Sequence, residues 1–171
     1  MTRFSFRPVS IGIILALLAL TAGMLHGMAF GANEDGIKKI FRENAQAGFP
    51  NNPDEAAEAA GEGWKTLKRA HLHFMGLGAM ATALCLFAGL SNAGDRLKMA
   101  ASTLVGFGAL VYPSFYTLAS FKASKAGEEV AHETFELVAQ AGAGASLFGL
   151  LSMIAIAVIW MMAGDESKAG Q

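Results

Sequence analysis

Charged residues are scarce in this sequence, and so are the motifs of soluble enzymes. Only 16% of the 171 residues are charged, and the formal net charge is −1. A basic surface that could attract nucleic acid is therefore not expected. The Gly-rich phosphate loop and the His-Glu-x-x-His, Gly-x-Ser-x-Gly and Cys-x-x-Cys patterns are all missing. These absences exclude nucleic-acid binding and leave soluble enzymes without support.

Cysteine and proline are also rare. The single cysteine, Cys85, has no partner for an intramolecular disulfide, so we expect it to pack as a small hydrophobic side chain. Pro113 lies inside an apolar run, where its missing backbone N–H predicts a kink about one turn earlier in the helix.

Apolar side chains dominate the sequence instead. Hydrophobic residues make up 53% of the chain, and the mean hydropathy is +0.40. A helix needs about 20 mostly apolar residues to cross a hydrocarbon core of about 30 Å. Four runs reach that length, at about 9–30, 71–90, 99–121 and 142–163. The sequence therefore predicts an all-α membrane protein, a bundle of four transmembrane helices in contact with the lipid bilayer.

The first run has a second interpretation, as a secretory signal peptide. Arg3 and Arg7 precede it, and a cleavage site could follow Gly31 or Ala32. The apolar core of a signal peptide has about 7–15 residues, whereas this run has about 22. We therefore interpret it as a retained transmembrane helix.

A polar segment of about 40 residues, 31–70, separates the first two runs and is too long for a simple connection. Ile37, Ile40 and Phe41 have the spacing of an amphipathic helix, which we expect to lie in the headgroup region. A second short helix is predicted over 53–60, where proline, acids and alanines follow one another as at a helix start. The expected fold is a four-helix bundle with a partly helical extramembrane loop at 31–70.

The second short helix is predicted to end near Gly61 and Gly63. Trp64 then precedes the second span, where its amphipathic ring favours the membrane interface. The connection at 91–98 is short, so we expect the second and third helices to be antiparallel neighbours.

Small residues recur every four positions on two of the runs. Such rows let helices approach closely in lipid, where van der Waals contact replaces the hydrophobic force. We expect the bundle to pack through two of these rows, Gly23, Gly27 and Gly31 on the first helix and Ala141, Ala145 and Gly149 on the fourth.

Four crossings place both termini on one side of the membrane and the segments 31–70 and 122–141 on the other. The side of the termini has five basic residues and the other side has eight, and the positive-inside rule applied to that count places the two segments in the cytoplasm. Arg3 and Arg7, just ahead of the first span, favour a cytoplasmic N-terminus instead. We predict that both termini are cytoplasmic.

All four histidines, His26, His71, His73 and His132, fall on one side of the membrane. Ionisable residues at membrane depth are costly, which makes them candidates for function, and imidazole binds haem iron and other metals. We take His26, His71 and His73 as candidate cofactor ligands. Residues two apart in a helix point about 200° from each other, so His71 and His73 cannot bind one ion. Three arrangements remain open. One ring faces the bundle and the other the surface, each ring serves a different site, or both rings form hydrogen bonds at the membrane interface.

The run 69–76, Arg-Ala-His-Leu-His-Phe-Met-Gly, resembles the opening of a transmembrane helix in small four-helix bacterial proteins related to the catalytic subunit of C-type haem-copper oxidases. By this resemblance, His71 takes the position of a low-spin haem ligand. Arg69 stands where the family has the ligand of the oxygen-reducing haem, so oxidase chemistry is not implied. His73 and Leu77 stand where the family has Asn and Trp. The resemblance implies a protein of the bacterial inner membrane and its respiratory chain.

A haem b bound at His71 needs a second axial ligand, and His26 and His132 are the available histidines. We favour His26, because Gly23 and Gly27 beside it could leave space for a porphyrin. The resemblance then implies electron transfer through haem b, or an accessory subunit of a respiratory complex, rather than a stand-alone enzyme. The alternative is a cofactor-free structural or assembly subunit, with membrane-protein partners or further copies of itself.

Glu129 and His132 form one Glu-x-x-His pair, the half-motif that di-iron bundles use twice. A second pair is missing, so the expectation is a mononuclear metal site or, alternatively, a solvated acidic helix start. A transporter is disfavoured, because the four spans contain no Asp, Glu, Lys or Arg.

Overall fold

Helices account for almost all of the described chain. The structure, a computed structural model, describes residues 6–169, with side chains as far as residue 162. A 3-10 turn precedes four helices, which are α1 (Ser10–Gly48), α2 (Pro53–Leu90), α3 (Asp95–Ala126) and α4 (Glu128–Ala169). Within the described residues there is no strand. The predicted all-α class is confirmed, and Arg3, on which the predicted orientation partly depends, lies outside the described residues.

Each of the four helices is long and apolar enough to cross a membrane. The most apolar windows, in α1 and α4, have a mean hydropathy of 2.2. Many large apolar side chains point outward, as contact with lipid requires, among them Ile14, Leu18, Leu25, Leu86, Leu151 and Ile154. By the length and composition of its helices, the chain is a multi-pass membrane protein with four candidate spans.

The helices are longer than a bilayer is thick. α2 has 38 residues, which at about 1.5 Å per residue makes it about 57 Å long, nearly twice the hydrocarbon core. α1 has 39 residues and is kinked at Asn33, where φ of −153° and ψ of 46° are not helical. The predicted second short helix is therefore continuous with the second span, whereas the predicted amphipathic segment of α1 is set off from the first span by the kink at Asn33. Residues 31–70 complete α1, turn at 49–52 and begin α2. We call residues 31–70 and 122–141, which pack together beyond the spans, the headpiece.

The helix end predicted near Gly61 and Gly63 is wrong, because α2 continues through both residues. A side chain at Gly63 would collide with the neighbouring helices. Its Cβ would lie 2.9 Å from the Ser120 carbonyl oxygen and 3.1 Å from the Phe41 ring. This glycine allows close helix packing and does not mark a break.

The predicted amphipathic helix is the part of α1 that follows the kink at Asn33. Phe41 is 1% exposed and Ile37 packs against the same core, whereas Ile40 is 48% exposed. The apolar face of this segment is therefore buried against α2 inside the headpiece.

Short turns join the long helices. The Asn52 side chain accepts a hydrogen bond from the Glu55 backbone N–H at 3.2 Å, and Pro53 occupies the first turn of α2. This arrangement confirms the helix start predicted from the proline and acids. Gly127 alone connects α3 to α4, with φ at +86° and ψ at 162°, a conformation open almost only to glycine.

α3 is the central helix of the bundle. It packs against α1, α2 and α4, whereas α4 packs on α3 and touches α2 at few points. The Trp160 ring on α4 makes one of those contacts, 5.3 Å from the ring of Phe87. In the most apolar 18-residue stretch of each helix, only 17% of the residues of α4 are buried, against 44% of those of α3. The bundle is therefore a three-helix unit with α4 attached to one side.

The glycine row predicted on α1 packs at two of its three positions. A Cβ at Gly23 would lie 2.8 Å from the Met75 sulfur, and a Cβ at Gly27 would lie 3.0 Å from the His71 ring. A Cβ at Gly31 would meet nothing within 4 Å. Two glycines of the row therefore face α2, and the third faces open space.

On α4 the packing row differs from the predicted one. Gly142 and Gly149 are buried against α3, whereas Ala141 is exposed and Ala145 is half-buried. Gly108 on α3 faces Gly142, so that glycines meet across this interface. The prediction was right for Gly149 and misplaced the rest of the row.

Candidate functional site

His71 links two helices at the membrane boundary. Its Nδ1 lies 2.8 Å from the Gly23 carbonyl oxygen on α1. A carbonyl can only accept, so the Nδ1–H donates this bond. The ring lies over Gly27, where the absence of a side chain gives it room. His71 therefore ties α2 to α1 through a hydrogen bond and a close contact.

His26 lies on α1 and points toward α3. Its Nδ1–H donates to the Ala22 carbonyl oxygen of the preceding turn at 2.8 Å. Its Nε2 is 3.3 Å from the Thr117 hydroxyl oxygen on α3. In the neutral ring Nε2 is an acceptor, so the hydroxyl is the donor there. The same hydroxyl lies 3.4 Å from the Pro113 carbonyl oxygen, which competes for its proton.

Aromatic rings fill the space around these two histidines. Phe30 presents its edge to both, with centroid distances of 6.1 Å to His26 and 5.6 Å to His71. The Phe74 ring lies 5.4 Å from His26, and the Trp64 ring lies 5.1 Å from Phe30. The structure therefore brings His26 and His71 into one cluster, as predicted from their level in the membrane, but with Phe30 against both rings.

A haem between His26 and His71 fits this arrangement in one respect only. Both rings have Nδ1 held by a backbone carbonyl, an arrangement that in many metal sites leaves Nε2 as the ligating atom. Nε2 of His71 is in this position, whereas Nε2 of His26 is bonded to the Thr117 hydroxyl. The glycine spaces expected to hold a porphyrin are filled, however, by Met75 at Gly23 and by the His71 ring at Gly27. As packed, the cluster does not fit a porphyrin, and haem binding stays a prediction from the sequence.

His73 faces the other side of α2, as the rotation of about 200° per two residues predicts. Its ring stacks on Tyr116 at 5.0 Å and meets Tyr112 edge-on at 5.4 Å. The two tyrosine hydroxyls lie 3.1 Å apart and share a hydrogen bond. His73 therefore packs against α3, while His71 packs against α1.

His132 is exposed near the start of α4, and its closest carboxylate is Glu128. Nε2 of His132 lies 3.7 Å from Glu128, whose carboxylate also accepts from Arg69 at 3.4 Å. Glu129, the predicted partner, lines a neighbouring acidic cleft instead. Within the described side chains, no group of three or more His, Cys, Asp or Glu is placed to hold a metal ion.

The acidic cleft lies between the start of α2 and the turn from α3 to α4. Its volume is about 370 Å³, and five carboxylates line it, from Glu55, Glu58, Glu62, Glu128 and Glu129. Lys65 stands at its edge and bonds to Glu62 at 2.6 Å. That hydrogen bond, and the negative charge of Glu62, raise the pKa of Lys65 above its ordinary value of 10.5.

Two lysines flank Trp64 on the opposite side of α2. Lys38 Nζ lies 5.4 Å and Lys68 Nζ lies 5.6 Å from the centroid of the indole. The sequence indicated an interfacial tryptophan but not this pair of cations. Lys68 follows Trp64 by one turn, a spacing that could have been recognised, whereas the approach of Lys38 depends on how α1 packs against α2.

Comparisons of the chain with protein-family models, curated proteins and solved structures found no match. The resemblance to the oxidase-related proteins therefore rests on residues 69–76 and, more loosely, on the four-helix layout and the glycine-rich first helix.

Proposed function

We propose that this protein is a structural or assembly subunit of a membrane complex and works without a cofactor of its own. The observation that carries this proposal is the packing of His71, whose Nδ1–H is bonded to α1 and whose ring covers Gly27. Interhelical polar groups of this kind hold helices together in lipid. The second histidine of the cluster, His26, joins α1 to α3 in the same way.

The headpiece supports a role in assembly. It has a buried core of its own, built around Phe41 and Leu67. Eight of the thirteen basic and eleven of the fourteen acidic residues lie in 31–70 and 122–141. A charged surface beside the membrane is suited to contact with other proteins. We propose other membrane proteins or further copies of this chain as partners, and a bacterial inner membrane with cytoplasmic termini as the location.

The second candidate is a haem b protein of the respiratory chain, with His26 and His71 as axial ligands. It is favoured by the two Nδ1–H bonds to backbone carbonyls, which would fix the ligand rings. Haem b would supply one-electron transfer when bound. For this candidate Phe30 has to turn away from both imidazoles, because its ring lies against each of them.

An absorption spectrum separates the two candidates. The full-length protein is purified in mild detergent from haem-replete cells, together with His71→Ala and His26→Ala. The structural subunit has no Soret band, and His71→Ala lowers its free energy of unfolding by about 0.6 kcal/mol, the average for a hydrogen bond between transmembrane helices. His132→Ala is the control, because this side chain is exposed.

A Soret band with sharp reduced α absorption, lost in both His26→Ala and His71→Ala, would overturn the proposal in favour of haem binding. His73→Ala distinguishes the ligands further, because its ring contacts α3 and not the cluster of His26 and His71. Its spectrum should equal that of the unmodified protein under either candidate.

A further inference from the structure

A basic cleft lies in the headpiece between α1 and α2. Its volume is about 200 Å³, and its lining residues are Lys38, Arg42, Ala57, Ala60, Gly61 and Trp64. α1 contributes the two cationic side chains, and α2 contributes a floor of small residues and the indole. A Cβ built on Gly61 would meet nothing within 4 Å, so this part of the floor is open.

Positive charge is concentrated around the indole of Trp64. Lys38 and Lys68 both lie within 6 Å of its ring, close enough for a cation–π interaction. Arg42 follows Lys38 by one turn on the same wall of the cleft. Lys38 is also paired with Glu34 at 2.5 Å. Three basic side chains and one acidic one leave a net positive charge beside the cleft.

The acids of α2 lie on its other side. Glu55, Glu58 and Glu62 line the acidic cleft that faces the turn from α3 to α4. Ala57, Ala60 and Gly61, which alternate with them in the sequence, line the basic cleft. The acids of α2 therefore point away from the cations of α1, and an anion is attracted to the face of α2 that is turned toward α1.

The Trp64 end of the basic cleft lies next to the ends of the first two spans. The apolar run of α1 ends near Phe30, whose ring contacts the Trp64 ring at 5.1 Å. Leu72, one turn beyond Lys68 on α2, is 66% exposed and marks the start of the lipid-facing surface. At about 1.5 Å per residue, Lys68 is thus about 6 Å outside this surface, within the headgroup layer, and Trp64 is about 12 Å outside it. The cleft extends from the edge of the headgroup layer away from the membrane.

We infer that this cleft binds the phosphate group of an anionic phospholipid. The Arg42 guanidinium can bind two phosphate oxygens at once, and Lys38 and Lys68 contribute point charges. The indole of Trp64 covers the apolar part of the headgroup and leads down to Phe30 and the acyl chains. Basic pockets between membrane helices recognise lipid headgroups by the same combination of charge and depth.

Fluorescence of Trp64 tests the inference on the full-length chain in neutral detergent. The chain has two tryptophans, and Trp160→Phe leaves Trp64 as the only one. We expect phosphatidylglycerol to change its emission with saturation, and phosphatidylcholine to have no effect at the same concentration. Lys38→Gln and Arg42→Gln should each weaken the apparent affinity about fivefold, and the double variant about 25-fold.

Lys39→Gln is the matched control, because it removes the same charge from an exposed side chain that is paired with Glu43 outside the cleft. Equal weakening by Lys39→Gln would show attraction to net charge alone and overturn the site. Saturation by inorganic phosphate at the same midpoint as the lipid would assign a free phosphate ligand and overturn the lipid. Native mass spectrometry of the unmodified chain with both lipids provides an independent readout, in which equal retention of the two contradicts the inference.

Discussion

Gly27 offers a sharp test of how α1 packs against α2. A Cβ at this position would lie 3.0 Å from the His71 ring, so Gly27→Leu forces the imidazole away and breaks its bond to Gly23. Overpacking costs about 1–3 kcal/mol, and loss of one hydrogen bond between transmembrane helices costs about 0.6 kcal/mol. The gain in helix propensity from glycine to leucine offsets about 0.8 kcal/mol of this loss.

Gly31→Leu is the matched control, because Gly31 lies one turn further along α1 and faces open space. It brings the same gain in helix propensity, which cancels when the two variants are compared. Gly27→Leu should therefore be less stable than Gly31→Leu by about 1.5–3.5 kcal/mol. The free energy of unfolding is measured by titration with sodium dodecyl sulfate in mixed micelles. Equal stability of the two leucine variants would refute this account of the α1 and α2 contact.

Three further changes test other parts of the fold. Lys98→Met removes a buried ammonium that donates to the Ser91 carbonyl oxygen, at the end of α2, at 2.6 Å. It should lower the free energy of unfolding by about 1.5–3 kcal/mol, measured by the same titration. Gly142→Leu should separate α4 from α3 and lower the melting temperature in detergent, whereas Ala141→Leu, on the exposed face, should leave it unchanged. Reporters in 31–70 and in 91–98 should map to opposite sides of the membrane, and the same side for both would contradict four crossings.

The spans could be predicted from the sequence because they depend on a local property. A run of about 20 apolar residues without charge has few alternatives to a helix in lipid. The extent of α1 and α2 beyond the membrane could not be predicted in this way. Gly61 and Gly63 have the local signal of a helix end, and only the approach of Ser120 and Phe41, from other helices, to Gly63 shows that this glycine serves packing.

The histidine cluster was predicted in part. Successive helices cross the membrane in opposite directions, which places His26 and His71 near the same membrane face. The helical repeat places His71 and His73 on opposite faces of α2. The sequence does not indicate how far each helix is rotated about its own axis. That rotation puts Phe30 against both imidazoles, and it turns Glu128 instead of Glu129 toward His132.

The central position of α3 has a consequence for biosynthesis. α1, α2 and α3 bury their shared faces against one another, and all three are complete at Ala126. A nascent chain that has reached this residue already contains every partner that the three-helix unit needs. It can therefore assemble while α4 is still being translated, since folding during synthesis proceeds from the N-terminus. Gly127 then lets the last helix reverse direction and dock along α3, so the order of docking follows the order of synthesis.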